Sequence, residues 1–377
     1  MQTTNYVDIM EKNHMEIPWH DYANDDSNVL IAEAGLIEKA SVIGRVGLIM
    51  LSCGTGAWRV RTSMNRLSKE LGVTCTVDVG LMSIAFNCFD RNDCVSQSLS
   101  IANTGVNTSK LYRMEQFVDH FPEEEAHMTG EDIHKRLDEI EEIHALYSPG
   151  KLGLAAALAC CGFTFLLGGG PIEMTLAFIT SGIDLAKLDL RSGLERLTYA
   201  IIIVMVATLF AWIMALLLHL EPADFTALHL SAATRLIFRV ITSFCGVFGF
   251  SIMFNSSYSM AATAAFIGAI ANTFRLELVD FTHIPPAAAA FIGALTAGLL
   301  ASFIKKSNGY PRISLTVPSI VIMVPGLYLY RAIYNFGIMS LTDVVSWFTS
   351  AIMIIVMLPL GLIFARILTD HTFRYCT

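Results

Sequence analysis

The stretch DVVSWFTSAIMIIVMLPLGLIFA, Asp343 to Ala365, decides the fold class. Its single charge stands at the first position, and it exceeds the ~20 residues that cross bilayer hydrocarbon as a helix. The same apolar character recurs upstream over roughly 151–168, 171–187, 197–219, 236–254, 258–274, 285–304 and 316–335. The expectation is an α-helical polytopic membrane protein of about 8 transmembrane helices, by a span of about 20 residues each.

Composition agrees. Of 377 residues, 54% are hydrophobic and 15% charged, with a mean hydropathy of +0.55. Soluble domains average about 25% charged residues. The charges concentrate before Pro149, so an N-terminal soluble domain precedes the helices. The expected organisation is an acidic mobile lead over 1–28, a cytosolic α+β domain over 29–150, and two membrane modules over 151–235 and 236–377. The net charge of -8 argues against a nucleic-acid partner, which wants a basic face.

Within the soluble part, Val42, Val46, Ile49 and Met50, then Val60, Met64, Leu67 and Leu71, recur at helical spacing. The two runs are separated near Cys53-Gly54-Thr55-Gly56. Val73, Cys75, Val77 and Val79 alternate with polar residues, as in a half-buried strand. Ile84-Ala85-Phe86 returns the chain, and Ser98 to Ala102 suits a third strand. Helices follow over 108–118 and 130–146, the latter opened by Thr129 with Asp132 in a capping box. The 8 cysteines follow no zinc or disulfide framework and read as free thiols. His120, His127 and His134 lie among glutamates; solvated surface suits them better than a metal site. No signal peptide opens the chain.

Basic residues fall on one side. Lys187, Arg191, Arg196, Lys305, Lys306, Arg312, Arg366 and Arg374 flank the loops expected inside, whereas Glu221, Asp224, Glu277 and Asp280 mark the outer ones, with Arg235 and Arg275 as exceptions. The positive-inside rule then places both termini in the cytosol of a multi-pass cell (inner) membrane protein.

Several motifs, in order, carry a resemblance. Gly54 to Gly72 (GTGAWRVRTSMNRLSKELG), FLLGGG (165–170), SGLERLTY (192–199), FGFSIMFNSSYSMAATAAFIGAIA (248–271), and Tyr310-Pro311 followed by VPSIVIMVPGLYLYRA (317–332) together resemble the threonine/serine exporter family. Arg61 stands where that family usually has an acidic residue. The larger module's own Val-Pro-Gly helix has no counterpart here, so that module reads as shortened. The resemblance implies a secondary transporter, not an enzyme, that exports small polar metabolites, threonine or serine foremost, driven by the proton gradient. No cofactor is expected. A dicarboxylate exporter and a membrane-tethered enzyme or sensor using 29–147 are the alternatives, and self-association into a homo-oligomer is left open.

Candidate site residues follow from chemistry at membrane depth. Pro325 and Gly326 interrupt a helix, and broken helices are where transporters commonly bind solutes; a packing kink is the plainer reading. Tyr330 and Arg331 lie just beyond. Arg331 can hold a substrate carboxylate as a fork or snorkel to the surface. Asn255 and Asn272 can serve a zwitterion or hydrogen-bond between helices. Asp184 and Glu173 are the proton-coupling candidates.

Overall fold

The computed structural model describes residues 17–22, 29–80, 82–101, 104–143, 146–171, 174–175, 177–178, 230–337 and 339–370. These fall into two units, one within Met1–Ala145 and the other from Leu146 onward.

The first unit is α+β. Helix α1 (Leu36–Ser52) and helix α2 (Ala57–Glu70) are separated at the expected break, where Gly54 adopts φ +73°, a conformation that favours glycine. Strands β1 (Thr74–Val79), β2 (Ser83–Phe89) and β3 (Cys94–Ser100) form an antiparallel sheet in that order. Helix α3 (Thr108–His120) and helix α4 (Gly130–Glu141) complete the unit.

Alternation decides which sheet face is covered. Ile84, Phe86 and Cys88 are buried while Ser83, Ala85 and Phe89 are exposed. The covered face sits close on α1 because that helix has no side chain at two contacts. A Cβ on Gly44 would lie 2.6 Å from the Phe86 ring, and one on Gly47 would lie 2.5 Å from the Met64 sulfur. Arg59 pairs with Glu115 and Arg66 with Asp119, tying α2 to α3. Arg61, the departure from the family pattern, donates from Nε to the Val77 carbonyl at 3.3 Å. The Thr129 cap forms as expected: its hydroxyl accepts from the Asp132 amide at 3.2 Å and donates to the Asp132 carboxylate at 2.9 Å.

One expectation needs correction in this unit. His134 is not solvated surface; it is fully buried, between the Ser41 hydroxyl at 3.0 Å and the Arg45 guanidinium at 3.3 Å. Burial, then the charge of Arg45, pushes its pKa down to about 4, so it is neutral at physiological pH. Within the acidic lead, Trp19–Tyr22 form a short 3-10 turn. Trp19 is buried, with the Arg45 guanidinium 5.9 Å from its ring centroid. His20 bridges Glu131 and Asp138 at 2.9 Å each.

The second unit is helical. Its described elements are α5 (Pro149–Leu166), α6 (Ala232–Met253), α7 (Tyr258–Thr282), α8 (Pro286–Asn308), α9 (Arg312–Val321), α10 (Gly326–Gly337) and α11 (Leu341–Thr369). Among the described residues, 5 stretches are long and apolar enough to span a membrane, the fourth of them containing α9 and most of α10. Large apolar side chains such as Ile237, Phe266, Phe303, Val345 and Leu368 are exposed on this unit, a surface suited to lipid. The expected segment 197–219 and most of 171–187 lie outside the described residues.

Helix association here uses small residues, because apolar side chains gain little by leaving lipid for another helix. A Cβ on Gly361 of α11 would lie 2.5 Å from the Phe291 carbonyl of α8, and one on Gly298 of α8 2.5 Å from Ala365 of α11. Gly162 of α5 comes similarly close to the Thr242 carbonyl of α6, at 2.7 Å. These close approaches hold the helices that frame the broken one.

Candidate functional site

Pro325 and Gly326 divide one membrane-length stretch into α9 and α10. Proline has no amide hydrogen to donate and its ring crowds the preceding turn. The chain passes the break through tight turns: Met323 and Val324 amides donate to Ile320 and Val321 carbonyls at 2.9 and 3.1 Å, and the Gly326 amide to the Val324 carbonyl at 2.9 Å. The Met323 carbonyl is taken up by a side chain instead. Arg275 of α7 donates to it from Nη1 at 3.1 Å.

The sequence pattern expects this arginine in an outer loop. Helix α7 continues through Thr282, so Arg275 is held on a helix, one turn beyond Asn272. Its backbone is fitted against α8 at Gly293, where a Cβ would lie 3.1 Å from the Arg275 Cβ and 3.2 Å from the Met323 sulfur. Arg275 is therefore packed between α8, at its Cβ, and the α9–α10 break, at its guanidinium.

The charges nearby separate into two kinds. Arg239 of α6 meets Glu277 at 2.8 Å and Asp280 at 2.7 Å, and Arg235 lies 3.7 Å from Asp280. Those cations are matched by carboxylates on the last turns of α7. Arg275 makes no ion pair among the described residues, and its Nε is buried without a hydrogen-bond partner. A neutral carbonyl does not balance a cation. An uncompensated guanidinium beside a helix break is a place for an anion, and a carboxylate matches its planar fork. Helix α10 begins at the same break, and a helix N-terminus also favours negative charge.

The other expected residues are placed as follows. Asn272 is fully buried; its amide donates to the Ser243 hydroxyl at 3.0 Å, and its Oδ1 is buried without a partner among the described residues. Asn255 lies in the turn before α7 with φ +58°, and its Oδ1 accepts from the Leu146 amide at 2.7 Å. The helix between them separates the two asparagines by about 25 Å, so only Asn272 is near Arg275. Arg331 of α10 lies over the Trp347 ring of α11, 4.5 Å from its centroid. Tyr330 is stacked with Tyr334 at 6.5 Å. The structure thus joins Arg275 to Met323, two residues before Pro325, with Asn272 one turn away on α7, and places Tyr330, Arg331 and Asn255 in other contacts. Asp184 and Glu173 lie outside the described residues.

Reasoning from sequence passes over Arg275. The available signal is its three-residue spacing from Asn272, which puts both on neighbouring positions of one helix face.

A threonine/serine exporter family model matches residues 41–183. A second, described as threonine/serine exporter, ThrE, matches residues 239–368. No curated protein and no solved structure matches the chain. The two matches follow in order along the sequence, the second covering the broken helix and Arg275. The chain is a member of the threonine/serine exporter family, a family of multi-pass membrane transporters of amino acids.

Proposed function

We propose that this protein exports threonine and serine by secondary transport, with Arg275 receiving the substrate carboxylate at the break between α9 and α10. The observation that carries the reading is the unmatched Arg275 guanidinium, 3.1 Å from the Met323 carbonyl. A zwitterion presents both charges at one carbon. Its carboxylate suits the guanidinium, while main-chain carbonyls at a broken helix suit its ammonium. Asn272, with an unused acceptor oxygen, adds a polar contact one turn away. Irregular backbone at membrane depth is tolerated where it is buried in protein or lines a cavity, which fits a binding role for the break.

Coupling to the proton gradient belongs to the same proposal, with Asp184 and Glu173 as the carboxylates that would carry the proton, and with both termini in the cytosol. A dicarboxylate would need two cations at the site. The other guanidinium near Arg275, that of Arg239, is already paired with Glu277 and Asp280, and Arg331 lies over Trp347, which favours the amino acid.

Proteoliposomes loaded with labelled threonine, serine or succinate, under an imposed pH gradient, test the reading. Efflux of threonine and serine, accelerated by the gradient, is the expected result. Absence of flux for both overturns it, faster succinate flux replaces the substrate class, and flux indifferent to pH removes the proton coupling.

A further inference from the structure

The first unit contains a pair of thiols that no transport step uses. Cys75 of β1 and Cys88 of β2 are directly opposite each other. The Gly80 amide donates to the Ser83 carbonyl at 2.8 Å, which makes 80 and 83 a hydrogen-bonded pair. Antiparallel pairs alternate between hydrogen-bonded and non-hydrogen-bonded. Counting along the observed register, 78 with 85 and 76 with 87 are hydrogen-bonded, whereas 79 with 84, 77 with 86 and 75 with 88 are not. Cys75 and Cys88 therefore occupy a non-hydrogen-bonded position, where opposed Cα atoms approach to about 4.5 Å. That separation lies within the range a disulfide spans without backbone movement.

The side chains lie on the same, covered face of the sheet, opposite each other across β1 and β2. Cys75 is half-buried and reachable, while Cys88 is buried. The proximity of the two thiols lowers the Cys75 pKa and raises that of Cys88, and Cys75, the less buried of the two, is the better placed nucleophile. Cys94 is exposed and opposes Phe89, on the other face of the sheet. Cys53 is buried, and burial pushes its pKa up to about 12, leaving it inert.

We propose that Cys75 and Cys88 form a reversible dithiol–disulfide site that reacts with a disulfide oxidant of the glutathione type. The Cys75 thiolate attacks one sulfur of oxidised glutathione, forming a mixed disulfide and expelling one glutathione thiolate. Cys88, deprotonated in turn, attacks the Cys75 sulfur and expels the second. Two protein thiols are oxidised by two electrons, one oxidised glutathione is reduced to two glutathione thiols, and the two protein protons end on those thiols. The new bond pins the end of the β1–β2 hairpin away from its turn, next to Val73, where α2 hands over to the sheet.

The test uses the full chain in lipid nanodiscs, exposed to oxidised glutathione and then alkylated, digested and mapped by mass spectrometry. The expected result is a Cys75–Cys88 linkage with loss of two free thiols per chain, reversed by dithiothreitol, and a higher unfolding temperature in the oxidised form. Cys94→Ser is expected to keep the linkage, and Cys75→Ser and Cys88→Ser each to abolish both linkage and temperature rise. A chain that shows only a persistent glutathione adduct, pairs Cys94 instead, or links only after denaturation overturns the proposal.

Discussion

Arg275 and Met323 are joined by one hydrogen bond of 3.1 Å across 48 positions of sequence, and it ties an intact helix to a broken one. The guanidinium is fixed by α7, while the carbonyl exists as a free acceptor because Pro325 and Gly326 interrupt the next turn. Position and chemistry at this point come from different helices.

Replacing Arg275 with Gln keeps a donor for the Met323 carbonyl and removes the charge. Hydrogen bonds to charged groups contribute about 1.5–3 kcal/mol, so export is expected to fall about ten- to a hundredfold. Arg275→Lys is expected to retain part of the activity, because it keeps a point charge without the fork. Initial efflux rates from proteoliposomes, normalised to inserted protein, check both; unchanged export by Arg275→Gln removes the residue from the site.

Gly293 is where α8 leaves room for Arg275 and Met323. A Cβ there would crowd both, at 3.1 and 3.2 Å. Overpacking of this kind costs about 1–3 kcal/mol. Gly293→Ala is expected to slow export and Gly293→Leu to abolish it, with membrane insertion retained. Export assays alongside size-exclusion profiles distinguish a displaced site from a misfolded chain.

Arg45 supports the first unit by a different route. Its guanidinium is buried and reaches Asp138, Glu141 and the His134 carbonyl. After Arg45→Met the two carboxylates regain water, since their side chains are 39% and 51% exposed. The buried end loses the charged hydrogen bond to the His134 carbonyl, at about 1.5–3 kcal/mol. Limited proteolysis of the full chain is expected to cut the first unit faster while leaving the second unchanged.

His20 and His134, with ring centroids 5.8 Å apart, respond to acid in opposite senses. His134 has a folded pKa of about 4 against an ordinary 6.5. Between those values the unfolded chain binds a proton that the folded chain lacks, so stability falls as pH falls, by at most about 3 kcal/mol. The His20 pKa is raised, chiefly by its hydrogen bond to Glu131, against slight burial and with help from Asp138. Its contribution is complete below pH 6.5 and is lost as pH rises through the folded pKa. Hydrogen-exchange protection over residues 17–22, relative to the intrinsic rate at each pH, is therefore expected to rise on mild acidification, and His20→Gln to remove that rise. Protection that does not change with pH in the parent chain would contradict it.

What the sequence disclosed was what short-range chemistry controls. The Thr129–Asp132 cap, the alternation from Val73 to Val79 and the interruption at Pro325-Gly326 each depend on a few adjacent residues, and each was legible. The burial of His134 was not, because Arg45 and Ser41 come from a helix about ninety positions earlier. Hydropathy also ends α7 too soon. Arg275, Glu277 and Asp280 resemble a loop until Arg239 supplies two of them with a counterion. The candidate cation was hidden by the polarity of its own neighbours.

A fixed cation at membrane depth also has an electrical consequence. An amino acid that crosses as a zwitterion carries no net charge, and the Arg275 charge remains with α7. Moving one elementary charge through 100 mV involves about 2.3 kcal/mol, whereas a neutral cargo gains nothing from the field. Current recorded across a bilayer containing this exporter would then count only such ions as are coupled to transport, and a flux without current would mean that no net charge is coupled to it.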